Sequence, residues 1–153
     1  MEKKDLLIKV LKEYGLRPFV EDNVVMFRYQ LKRLFCVVDD EKDNYICMFY
    51  PNFYEVVEAE KAAALYVSNK TTREIRHLKV YVDEELENIS ASSEFFFDSE
   101  ESLKLGVAKG LELIGIIGTY IAQAMADYSK EIGEPDSEIA EETLFEDLSN
   151  IVE

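Results

Sequence analysis

Cysteine occurs twice in this chain, histidine once, and cations are outnumbered almost two to one: 17 Lys and Arg stand against 32 Asp and Glu, a formal charge of −15. Each scarcity removes a class of function. Cys36 and Cys47 lie in apolar, strand-like runs and do not make the disulfide framework of a small secreted domain. Both are read as buried free thiols, and the chain is expected in the cytoplasm. On that reading the sequons at Asn69 and Asn88 are chance matches. His77 has no Cys or His cluster around it in the sequence and is read as structural, on a strand that also carries Ile75 and Tyr81. Excess negative charge argues against nucleic acid, whose affinity comes mostly from neutralised phosphates, and against an anionic membrane surface. The opening "MEKKDLLIKVLKEYG" is charged throughout and has no uninterrupted apolar core, so no signal peptide is expected.

Long apolar runs are scarce too. The best candidate, "LGVAKGLELIGIIGTYIAQAMADY" from Leu105 to Tyr128, contains the G-x-x-x-G spacing of membrane helix dimers at Gly106 and Gly110. Lys109 and Glu112 interrupt it, leaving fourteen uncharged residues from Leu113 to Ala126, where a bilayer crossing needs about 20. The motif has its dimerising meaning only inside an apolar span. The stretch is therefore read as a packing helix that lies on a sheet, its glycine side closely approached by strands or by another helix.

Catalytic signatures are missing as well. There is no nucleophile elbow, phosphate loop or dinucleotide fingerprint. "DDEKDNY" places Asp39, Glu41 and Asp43 at alternate positions like a calcium loop. Asn44 stands where the sharp-turn glycine belongs, and Tyr50 where the bidentate glutamate belongs, so the segment is read as a hairpin turn. No metal, cofactor or catalytic residue is assigned, and an enzyme is not expected.

What is present is a core. Apolar residues make up 48% of the 153, with nine Phe and nine Tyr, enough for one domain. Leu6, Leu7, Val10, Leu11 and Tyr14 fall at helical spacing, and Gly15 is placed to end that helix. Three or four antiparallel strands follow near 17–20, 24–30, 33–39 and 45–50, with Pro51 closing the last. The alanine-rich "EVVEAEKAAALYVSN" reads as a second helix, with Val56, Ala59, Ala63 and Val67 on its apolar side. "REIRHLKVYVDEELENISASSEFFFDS" reads as two more strands around a turn near Glu84 to Asn88. Ser99 is a good N-cap, Asp98 and Glu101 have capping-box spacing, and a third helix runs to about Tyr128. The order predicts an α+β fold with an antiparallel sheet.

Both faces of that sheet read as apolar. Val25, Phe27 and Tyr29 alternate with Val24 and Met26, and Phe35 and Val37 alternate with Leu34, Cys36 and Val38. The first and third helices can cover one face. The second helix, a second copy of the chain or another partner must cover the other, since a monomer would leave an exposed apolar patch.

Residues 1–130 are expected to form the domain and 131–153 a distinct acidic tail. From Glu131 the chain has nine acidic residues and no Lys or Arg, so the tail carries −9 of the −15 and leaves −6 on the body. Its Ile139, Leu144, Leu148 and Ile151 or Val152 would form an apolar stripe in a helix; otherwise it is a solvated terminus. Two cationic stretches, Lys32 with Arg33 and Lys70 to Lys79, read either as edge and turn charge or as acceptors for acidic segments, this tail included.

The order and wording resemble the YbjN-like family: a helix ending in Tyr14-Gly15, strands through "MFRYQLKRLFCVVDD" into "YPNFYE", a helix closing on "LYVSN", two strands and a long glycine-containing helix, over roughly residues 2–128. The resemblance implies the fold of the type III secretion chaperones, and a small acidic cytoplasmic bacterial protein, often dimeric, whose surface binds a polypeptide or senses a partner. The functional expectation is a non-enzymatic, dimeric protein-binding or chaperone-like module. The competing expectation is a small-ligand sensory domain with its pocket on the apolar sheet face. Contact residues are drawn from Val25, Phe27, Tyr29, Phe35, Phe49, Tyr50, Phe95 and Phe97, which alternation alone does not divide between core and interface.

Overall fold

The computed structural model describes residues 2–38 and 44–132. The first helix, α1 (Lys3–Glu13), buries Leu7, Val10 and Leu11 and stops where expected. Gly15 adopts φ 84°, its N–H donates to the carbonyl of Lys12, and the N–H of Leu16 donates to that of Leu11. This six-to-one closure is tolerated because glycine has no Cβ to oppose the left-handed conformation.

Four strands follow: β1 (Phe19–Glu21), β2 (Val24–Tyr29), β3 (Lys32–Val37) and β4 (Tyr45–Glu55). After a 3-10 turn, Glu58–Glu60, come α2 (Lys61–Glu74), β5 (Lys79–Val82), β6 (Asn88–Phe96) and α3 (Glu100–Ile132). The strands form one sheet in the order β1-β2-β3-β4-β6-β5, and every adjacent pair is antiparallel. The chain has the α+β architecture that the element order predicts.

Four local expectations are corrected. Pro51 does not close β4: the strand continues to Glu55 through a register shift between Tyr50 and Tyr54. Asn52 sits there at φ 50°, its N–H donating to Ser90 Oγ. Pairing with β3 has already ended at Phe49, so the missing proline N–H leaves no gap in the β3 ladder. Second, α2 does not stop at Asn69 but runs to Glu74. Thr71 and Thr72 favour strands intrinsically, yet Thr71 is buried, and the Thr72 hydroxyl accepts from the N–H of Val80 and donates to its carbonyl, both at 2.8 Å. Tertiary contacts at the edge of β5 override the local preference. Third, His77 is in the turn before β5, at φ 70°, rather than on the strand. Its ring stacks on Phe95 with centroids 5.6 Å apart. Fourth, the box that opens α3 is Ser99 with Ser102: Ser99 Oγ accepts from the N–H of Ser102, and Ser102 Oγ from that of Ser99. The expected turn at Asp40–Asn44 and the tail after Ile132 lie outside the described residues, Asn44 apart.

Helix α3 carries the core. By length and composition it would pass for a membrane crossing, but Leu103, Val107, Leu111, Ile114, Ile117, Ile121 and Met125 along it are buried in the protein. Its glycine side faces the sheet: a Cβ at Gly106 would stand 2.3 Å from Phe95 Cε2, and one at Gly110 would stand 2.9 Å from Ser93 Oγ. Helix α1 packs along α3, and α2 packs on both α3 and β5. All three helices therefore lie on one face of the sheet. The second helix does not cross to the other face, as one expectation allowed, because its buried stripe is spent beside α3.

Candidate functional site

Strand alternation now has a sign. Val25 and Phe27 on β2, Leu34 and Cys36 on β3, Ile46 and Met48 on β4, and Ala91, Ser93 and Phe95 on β6 face the helices and are buried. Tyr29 and Tyr50 share that face and pack half-buried at its margin, and Phe97, just beyond β6, is buried in the same core. Six of the eight expected contact residues thus belong to the core side. Only Phe35 and Phe49 look out from the other face, stacked on each other across β3 and β4 with centroids 5.0 Å apart.

No helix covers that other face among the described residues, and it is far from polar. Val24 and Met26 on β2, Val37 on β3, Tyr45 on β4 and Phe96 on β6 share it with Phe35 and Phe49. Phe96 is 71% exposed and Val37 42%. Phe96 was hidden in the sequence between Phe95 and Phe97, both of which point inward. A parity argument would have found it: Arg28, Arg33 and Glu94 mark the solvent face of their strands, and Met26, Phe35 and Phe96 stand an even number of residues from one of them.

The face divides chemically. Toward β5, Glu94 accepts from Cys47 Sγ at 3.2 Å and pairs with Lys79 at 3.2 Å. Partial burial alone would raise the Glu94 pKa, but the hydrogen bonds from Cys47 and Lys79 outweigh it and hold the carboxyl below its usual value. Burial, then the bond to this carboxylate, pushes the Cys47 thiol up to about 12. Cys36, on the core face, is also pushed up, by burial. Both cysteines are free, buried and held as thiols, the opposite of what a nucleophile needs. Toward β1, Phe19, Met26, Phe35 and Pro51 line a depression of about 430 Å³ whose rim carries Arg28 and Arg33.

A second concavity of about 320 Å³ lies between α2 and α3, with Tyr66, Lys70, Glu74, Tyr120 and Tyr128 among its walls. No group of three or more His, Cys, Asp or Glu that could hold a metal occurs among the described residues. Exposed His77 makes its ring contact with Phe95.

No family model matches the sequence, and no curated protein matches it. Solved structures do. YbjN from E. coli, described as a candidate transcription regulator, aligns with a TM-score of 0.61 and 16% sequence identity, over 81% of this chain and 92% of its own. An uncharacterized protein from Methanothermobacter thermautotrophicus aligns with a TM-score of 0.47 and 17% identity, over 79% of this chain and 96% of its own. The first likeness shows the fold: a six-stranded antiparallel sheet under a long C-terminal helix, in the YbjN-like arrangement. Neither protein is described as an enzyme.

Proposed function

We propose that this chain is a non-catalytic protein-binding module of regulatory type that works through the open face of its sheet, and that a second copy of the chain is one occupant of that face. One observation carries the reading: Val37, Tyr45, Phe49 and Phe96 form an apolar surface on a sheet whose three helices all lie on the opposite side. Face-to-face packing of two such sheets is a common way to bury a surface of this kind. The fold shared with a protein described as a candidate transcription regulator is compatible with a regulatory role. Two buried thiols favour a reducing compartment, and the cytoplasm is the location we propose. A small-ligand pocket on the same face is less well supported, because the depression there is rimmed by two exposed arginines.

Sedimentation velocity over a range of concentrations tests the dimer. The wild-type chain is expected to approach the mass of two chains, and Phe96→Asp to remain at the mass of one. The Phe96 side chain is mostly in solvent already, so this substitution leaves the core intact. A single-chain mass for both forms at every concentration would sink the self-association reading.

A further inference from the structure

Arg28 and Arg33 stand directly opposite each other on β2 and β3, both exposed on the open face. Like charges in that position oppose strand pairing. Among the described residues neither guanidinium meets a carboxylate. In a chain of net charge −15 such a pair is an exception to the surroundings. It also borders the depression of about 430 Å³ walled by Phe19, Met26, Phe35 and Pro51. Guanidinium forks match carboxylates in geometry, and the adjoining wall matches an apolar side chain. The ligand chemistry is therefore a peptide that carries an aromatic or aliphatic residue next to acidic ones.

The chain contains such a peptide. Residues 133–153 hold eight acidic residues and no Lys or Arg, and within them Leu144, Phe145, Glu146 and Asp147 run in succession. Reach is sufficient. Helix α3 passes the β2–β3 turn at Gly115, where a Cβ would lie 3.0 Å from Gln30 Oε1, and ends at Ile132. Those last 17 residues are roughly 25 Å of helix, whereas the 13 residues from Gly133 to Phe145 span up to about 45 Å when extended. A body that carries −6 repels this segment on average and attracts it only at its cationic spots, of which this pair is the one that borders an apolar depression on the open face.

We propose that the Arg28–Arg33 pair and the depression beside it bind the chain's own acidic C-terminal segment, with Phe145 in the depression and Glu146 and Asp147 on the guanidinium groups. The inference rests on the reading of the open face as a polypeptide-binding surface and names the ligand of its β1-side half. A segment held there screens part of the face, and a competing acidic partner would have to displace it.

Hydrogen exchange on the full chain tests this. Amides around Phe145 are expected to exchange about tenfold more slowly than in a free synthetic peptide of residues 134–153, a difference worth one tenfold step in an equilibrium. The protection should be independent of protein concentration and should weaken with salt. Arg28→Glu with Arg33→Glu should abolish it, and adding Glu146→Arg with Asp147→Arg should restore it. Free-peptide rates in the wild type, unchanged protection in the double arginine variant, or protection that appears only on concentrating the protein would each overturn the assignment. Failure here with Phe96→Asp still breaking self-association removes the tail assignment alone. Failure of self-association is read from sedimentation of the wild type against Phe96→Asp, a site on β6 outside the residues that line the depression.

Discussion

Phe27→Ala is expected to lower the unfolding free energy by about 3–5 kcal/mol, against about 0.5–1.5 kcal/mol for Phe35→Ala. The two phenylalanines sit on adjacent strands, and sequence pattern treats them alike. Phe27 is 2% exposed beneath the helices, paired across the ladder with Leu34 and surrounded by the side chains of the core. Truncating it leaves a cavity that close-packed neighbours fill only in part. Phe35 is paired with Met26 on the open face, and its main specific contact is the stack on Phe49. Since a domain of this size is stable by only about 5–15 kcal/mol, the first substitution takes a large share and the second a small one. Urea unfolding at one fixed protein concentration measures both, with the slope checked for constancy. Equal costs would mean that the two faces of the sheet are not assigned as described. The same contrast governs the choice of probes: Phe27→Asp would report on folding, whereas Phe35→Asp or Phe96→Asp reports on the surface.

Gly106 supplies the second large effect. Alanine is the better helix former by about 1 kcal/mol, so a neutral site should gain stability from the exchange. At Gly106 the added carbon would meet Phe95 at 2.3, 2.4 and 2.8 Å, three ring atoms of a buried side chain whose ring also stacks on His77. Relieving that overlap requires the ring or the helix to move. The expected result is a net loss of about 1–3 kcal/mol for Gly106→Ala, and failure to fold for Gly106→Leu. Gly118 is the internal control. The nearest atom to its added carbon is Tyr50 Oη at 3.9 Å, and Gly118→Ala should be neutral or stabilising by up to about 1 kcal/mol. Thermal or urea unfolding of the two alanine variants side by side decides the matter. Gly106→Ala at least as stable as Gly118→Ala would show that the close approach of α3 to β6 is not what the glycine serves.

Much of this architecture is legible in the residues themselves. Helical spacing with Gly15 gives α1 and its end, and turn residues with alternation give the strands. The glycine side of α3 calls for a close neighbour, and the neighbour is β6, which meets Gly110 with Ser93 and Gly106 with the ring of Phe95. What alternation lacks is a sign. Val24, Val25, Met26 and Phe27 are all apolar, so period two separates them into two sets without saying which set is inside. The charged members of the strands hold that information, since Arg28 and Arg33 place their own parity in solvent and carry Met26, Phe35 and Val37 with them. The α2 boundary was hidden for another reason. Thr71 and Thr72 read as strand until the edge of β5, far along the chain, supplies the contacts that keep them helical.

The central claim is that the open face is where the chain meets a second copy of itself, and thiol labelling allows a direct test. Cys36 is enclosed beneath the helices, and with Cys47, the cross-strand partner of Val37, replaced by serine, a cysteine introduced as Val37→Cys at a site 42% exposed on that face would be the only reactive thiol among the described residues. Its labelling rate is measured on the full chain as the protein is diluted. The account predicts labelling at the rate of an exposed thiol in dilute solution and marked protection as concentration rises. One rate at every concentration, fast or slow, would contradict it.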